Sequence, residues 1–183
     1  MALLVWQDGK VIYERYFGDY DPHTQVAIAS ASKWLSAATV MTLVDEGRLD
    51  LDARITQYLP GFAGAKAEMT IRQMFSHASG LVDFPGEWDY STTPMAYAQA
   101  IAREGRMAAS PGTEIRHASA SMQVVGAIAE QISGRSCNDL FLDRITRFAS
   151  AHCADISTFG PVSPVLRLVK GAWNARREAG KAP

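Results

Sequence analysis

The residues with the most chemical promise are Ser30 and Lys33, in the run Ile28-Ala29-Ser30-Ala31-Ser32-Lys33. Positions three apart share one face of a helix, one turn along. A helix beginning here therefore brings a hydroxyl within reach of an amine. A serine hydroxyl is a weak nucleophile until a base takes its proton. A lysine amine is such a base once burial or a neighbouring cation lowers its pKa. Backbone N–H groups at a helix N-terminus favour a developing oxyanion. The chemistry this points to is acyl transfer. A serine at a helix start also serves simply as an N-cap, and the pair by itself does not separate the two roles.

Several elements must position this pair. Leu3–Trp6 and Val11–Tyr13 flank Asp8-Gly9, a strong hairpin signal. From Trp34, apolar residues recur at Ala37, Ala38, Met41 and Val44, which predicts a helix closed by Gly47. A short helix is expected after Asp52, ending before Pro60-Gly61. Thr70 and Gln73 have the spacing of a capping box, so another helix should run to about His77. Thr93-Pro94 is a cap followed by an N1 proline, ahead of Met95–Glu104 and Gly105. Met122–Ile132 is periodic and stops at Ser133-Gly134, and Asp139–Phe148 is one more helical candidate. Helices dominate, and a lone hairpin needs further strands or a helix to cover it. The fold class is α+β with an underpopulated sheet.

Composition narrows the function. Of 183 residues, 48% are hydrophobic and 20% charged, so the chain is neither disordered nor low-complexity. A net charge of -1 argues against partners such as nucleic acid or an anionic membrane, which call for a basic excess. Cys137 and Cys153 form at most one bridge. With His152 they lack the spacing of a zinc cluster, so no metal is expected. Ala2–Trp6 is too short for a signal-peptide core, and no apolar stretch approaches a membrane span, so the chain as written reads as cytoplasmic.

Beyond the Ser-x-x-Lys pair, an ordered series follows. It comprises Leu43-Val44-Asp45-Glu46-Gly47-Arg48-Leu49-Asp50-Leu51-Asp52, Tyr58-Leu59-Pro60, Met69 to Leu81 with Ser76-His77-Ala78-Ser79-Gly80, Pro111-Gly112-Thr113, and Val124 to Gly134. Together these closely resemble the serine β-lactamase-like family. That family includes class C β-lactamases, D-alanyl-D-alanine carboxypeptidases, esterases of the same fold and 6-aminohexanoate-dimer hydrolases. The resemblance covers about residues 2–148. It implies the β-lactamase/transpeptidase-like fold and a serine hydrolase acting on a small-molecule ester, β-lactam or peptide, with no cofactor. Ser30 would be the nucleophile and Lys33 the base.

The family's second motif, typically Tyr-x-Asn, falls on His117-Ala118-Ser119 here. An imidazole titrates near neutrality and could relay a proton as the tyrosine would. It could equally be a tolerated replacement in a site that no longer works. Ser119 could still donate a hydrogen bond to substrate, with a shorter reach than an amide. The third motif, Lys-Thr-Gly or a relative, has no match, and the strands that would carry it are not seen. The resemblance implies an oxyanion hole made of the nucleophile's own N–H and one from that strand. One lost donor costs roughly 2.7–4 kcal/mol. The alternative function is thus a catalytically impaired remnant of the same family.

The domain reading is a partial hydrolase domain over 1–148, truncated at the C-terminus, and an atypical, poorly ordered basic tail over 149–183. Residues 164–183 carry five Lys/Arg and one acid. Missing strands would leave the hairpin's apolar face uncovered, which makes self-association through the incomplete sheet a further expectation. Three other residues have weaker readings. His77 turns the chain after a helix. Trp34 packs in the core, or else walls the pocket. Trp88, in a loop with Phe84 and Tyr90, borders the acyl pocket and contacts substrate if that loop is more than ordinary packing. No Gly-x-Ser-x-Gly elbow supports a Ser-His-Asp triad.

Overall fold

The computed structural model describes residues 1–24, 26–27, 29–83 and 92–146, with two short strands at 152–153 and 165–167. Strands β1 (Ala2–Gln7) and β2 (Lys10–Tyr16) pair antiparallel. Asp8 and Gly9 at the turn have φ of 50° and 76°. Two consecutive positive φ values make the tight turn whose twist matches the strands. Val5 pairs with Tyr13 and Trp6 with Val11, so Ile12 is the extra residue of a bulge. Leu3, Leu4, Val5, Trp6, Ile12 and Tyr13 are all exposed.

A second sheet has the order β3-β5-β4, built from β3 (Val26–Ala27), β4 (His152–Cys153) and β5 (Val165–Arg167), all antiparallel. Val26 pairs with Leu166 and Cys153 with the same residue on its other side. Two pieces of the stretch after residue 148 are therefore strands that run back beside the segment leading to Ser30.

Helix α1 spans Ser32–Asp45. It ends where Gly47 turns to φ 68° and the N–H groups of Arg48 and Leu49 both donate to the Leu43 carbonyl. Helix α2 (Ile71–Phe75) starts in the expected capping box. The Thr70 side chain accepts from Gln73 N, and Gln73 Oε1 accepts from Thr70 N at 3.0 Å. Helix α3 (Pro94–Glu104) is capped by Thr93 Oγ1, which accepts from Ala96 N. Lys66 Nζ donates to the carbonyls of Ile101, Ala102 and Gly105, placing a cation at the negative end of α3. Helix α4 (Ser119–Ser133) stops at Gly134, whose φ is 70°.

Two expected helices depart from the sequence reading. The stretch after Asp52 forms only a 3-10 turn at Ile55–Gln57. Its backbone is tied to the neighbouring segment by Ile55 N donating to Met69 O at 2.9 Å. The helix expected over 139–148 begins earlier, because Ser136 Oγ accepts from Asp139 N and caps α5 (Cys137–Phe141). It then widens into a π-helical turn over Leu142–Thr146.

The core lies among α1, α2, α3 and α4. Val40 and Leu43 from α1, Ile71 and Met74 from α2, Ile101 from α3, and Val124 and Ile128 from α4 are all fully buried. Burying an aliphatic side chain of this size contributes about 1.5–3 kcal/mol. Glu46 at the end of α1 pairs with Arg144 of the π-helical turn, and Arg48 just beyond it donates to the Ile132 carbonyl, which ties the end of α1 to that turn and to the end of α4. Among the described residues, no helix is long and apolar enough to cross a membrane.

Candidate active site

Ser30 lies in a 3-10 turn, Ala29–Ala31, that runs directly into α1, and Lys33 lies in the first turn of that helix. The N-cap position falls to Ala31, which has no side chain to accept a hydrogen bond. Ser30 is therefore not the helix cap. Its Oγ instead accepts from Lys33 Nζ at 3.0 Å. Ser30 is exposed and Lys33 half-buried, so the hydroxyl is open to an incoming molecule while the amine is partly shielded.

These two side chains open onto a cleft of about 630 Å³. His77 and His117 complete its polar lining, and Trp34, Ala37, Phe75 and Met122 form apolar walls. Trp34 is 84% exposed and lines the cleft, so of its two readings the structure rejects core packing and keeps the pocket wall. The reason is helical phase: it follows Lys33 on the cleft side of α1, whereas Ser36, Thr39, Val40 and Leu43 take the buried face.

His117 reaches the cleft through a backbone strap. The segment after α2 runs beside residues 106–118. Val82 N donates to Arg106 O, Ala108 N to Gly80 O, Gly112 N to Ala78 O and Arg116 N to His77 O, all within 3.0 Å. Gly80 has φ 77°, and a Cβ there would sit 2.2 Å from the Ala109 carbonyl oxygen, so the two segments touch where no side chain fits. His77 itself adopts φ 57°, a left-handed conformation uncommon for a side-chain-bearing residue. It turns the chain as expected, and that turn also delivers its imidazole to the cleft.

The His77 and His117 rings lie against each other with centroids 4.9 Å apart and planes tilted by 32°. His77 Nδ1 accepts from Ala118 N at 3.5 Å. Burial holds the His77 pKa below its ordinary value, helped by the nearby His117 and Lys33 and opposed by Asp83. Asp83 lies beside them. Its Oδ1 accepts from the backbone N–H groups of Ser119 and Ala120 at the head of α4. Its Oδ2 is 3.6 Å from His117 Nδ1.

The structure thus brings Ser30, Lys33 and His117 to one cleft. Ser119 is the first residue of α4, and its side chain is not part of the lining. Trp88, with Phe84 and Tyr90, lies outside the described residues. Asp83 was not singled out from the sequence. It bonds residues 36 and 37 positions away, and an acid after a Gly-Leu-Val run carries no local signal of that. Among the described residues, no group of three or more His, Cys, Asp or Glu is placed to hold a metal ion.

The arrangement suits proton transfer around a hydroxyl: a serine bonded to an amine, and two imidazoles across an open cleft. A profile of the beta-lactamase family matches residues 1–183. The chain belongs to the beta-lactamase family. It is 35% identical over 158 residues to penicillin-binding protein 4 of Amycolatopsis lactamdurans, a match covering 79% of this chain and 41% of that protein. It is 30% identical over 173 residues to a D-aminopeptidase of Cereibacter sphaeroides, covering 84% and 32%. A candidate beta-lactamase from Bacteroides dorei superposes with a TM-score of 0.80 at 24% identity, over 96% of this chain and 56% of that one, which bears on the fold. The chain spans about a third to two-fifths of the length of these two curated relatives. Within this beta-lactamase family chain, Ser30 and Lys33 are spaced as Ser-x-x-Lys, and His117-Ala118-Ser119 follows Pro111-Gly112-Thr113.

Proposed function

We propose that this chain carries the nucleophile, base and proton relay of a serine hydrolase acting on a small-molecule ester or amide. One observation supports this reading above the rest: Ser30 Oγ and Lys33 Nζ are 3.0 Å apart at the edge of an open cleft that His117 also lines. With its amine neutral, Lys33 accepts the hydroxyl proton as Ser30 Oγ bonds to the substrate carbonyl carbon. The carbon–leaving-group bond then breaks, and the leaving group takes a proton from the His117 imidazolium. Lys33 passes the proton it took to His117 and is neutral again; water then attacks the acyl-serine, gives its proton to the Lys33 amine, and releases the acid as that proton moves on to Ser30 Oγ. The relatives named penicillin-binding protein and D-aminopeptidase are consistent with amide-type substrates, and the apolar walls of the cleft suit an ester as well.

A fluorophosphonate or penicillin probe followed by mass spectrometry tests this. The expected result is one covalent adduct on Ser30, abolished in Ser30→Ala. An unlabelled wild-type chain that is folded by circular dichroism would overturn the reading and favour a family member that keeps the fold without the chemistry.

A further inference from the structure

The two imidazoles in the cleft have different neighbours at the same ring atom. At His77, Nδ1 faces a donor, the Ala118 N–H. That nitrogen must be the bare one, so neutral His77 carries its proton on Nε2. At His117, Nδ1 faces an acceptor, Asp83 Oδ2 at 3.6 Å. This is slightly beyond hydrogen-bond length, and such contacts at a site without substrate are commonly longer than in the reacting complex. The other Asp83 oxygen is already committed to Ser119 N and Ala120 N, so the carboxylate is anchored to the first turn of α4. Among the described residues, the cations near it have other partners. Arg116 pairs with Glu114, and Lys33 is bonded to Ser30.

We propose that Asp83 is the positioning residue for His117: it holds the neutral imidazole as the Nδ1–H tautomer and leaves Nε2 as the atom that gives up and recovers the relayed proton. The catalytic part of this rests on the proposed hydrolase reading; the tautomer does not. As His117 protonates, Asp83 stabilises the imidazolium by charge without taking its proton. When Nε2 passes its proton to the leaving group, Nδ1 keeps its own.

Asp83→Asn separates the two oxygens' jobs. The amide oxygen can still accept from Ser119 N and Ala120 N, so the helix cap is retained. The amide nitrogen then faces His117 Nδ1 as a donor and drives the proton to Nε2. Long-range ¹H–¹⁵N NMR of the imidazoles reads this directly, at a pH where both are neutral. The expected result is Nε2–H at His77 and Nδ1–H at His117 in the wild type, with His117 switching to Nε2–H in Asp83→Asn. Ester turnover in the variant should fall by on the order of 10²-fold or more, while the probe still labels Ser30. An Nε2–H tautomer at His117 in the wild type would overturn the proposal, whether or not the variant folds. So would an unchanged tautomer in a folded variant. A wild type with the expected tautomers but no adduct on Ser30 would instead sink the hydrolase reading and leave the positioning role standing.

Discussion

β1 reads Ala-Leu-Leu-Val-Trp-Gln and the middle of α4 reads Val-Val-Gly-Ala-Ile. Both are apolar runs, yet Trp6 is 53% exposed while Ile128 is fully buried. The hairpin is fully formed regardless, because its shape depends on two residues able to adopt positive φ and on a ladder of pairwise hydrogen bonds. The helices also have strong local signals in Thr70, Thr93 and Gly134, but each turns an apolar face onto another helix. Formation and burial are thus separate events. Turn and cap chemistry secures the first. Only a partner element supplies the second, and with it most of the stabilising free energy.

That contrast can be tested by substitutions of graded severity. The largest effect is expected in the core: Leu43→Ala, on the buried face of α1, should lower unfolding free energy by about 2–5 kcal/mol in urea titration. A smaller loss would mean that α1 is less tightly enclosed than its burial indicates. Gly80→Ala comes next. It forces a Cβ against the Ala109 carbonyl at a positive φ, so it should cost more than about 1 kcal/mol and also reduce labelling of Ser30 by loosening the strap that carries His77 and His117. Stability loss with unchanged labelling would separate the strap from the site. Leu4→Ser should have the smallest thermodynamic effect, within about 0.5 kcal/mol, because the side chain already meets water. It should instead reduce binding of a hydrophobic dye. A loss as large as that in the core would show that β1 is covered in solution and would erase the contrast.

The two halves of the cleft were not equally legible. Ser30 and Lys33 are three apart, so helical geometry alone placed them together, and the structure adds that Ala31, not Ser30, occupies the cap position. His117 was found through its place after Pro111-Gly112-Thr113. Its setting could not be read the same way, because Asp83 and His77 reach it across 34 and 40 positions of chain. Trp34 had two readings for a related reason. A tryptophan in an apolar-periodic stretch reads as core, and only the phase at which α1 docks shows that this one faces the cleft.

The chain's order of residues was enough to determine the hairpin turn, the capping box at Thr70, the proline-led start of α3, the glycine stop of α4 and the Ser30–Lys33 pair. All of these are set by contacts within a few residues, where covalent geometry leaves few choices. Three further features were decided by tertiary structure alone: which apolar runs are buried, which face of α1 looks into the cleft, and which carboxylate stands beside His117. Those outcomes depend on segments far apart in sequence coming together. At Gly80 the approach is close enough to exclude even a methyl group, and no local pattern encodes that distance.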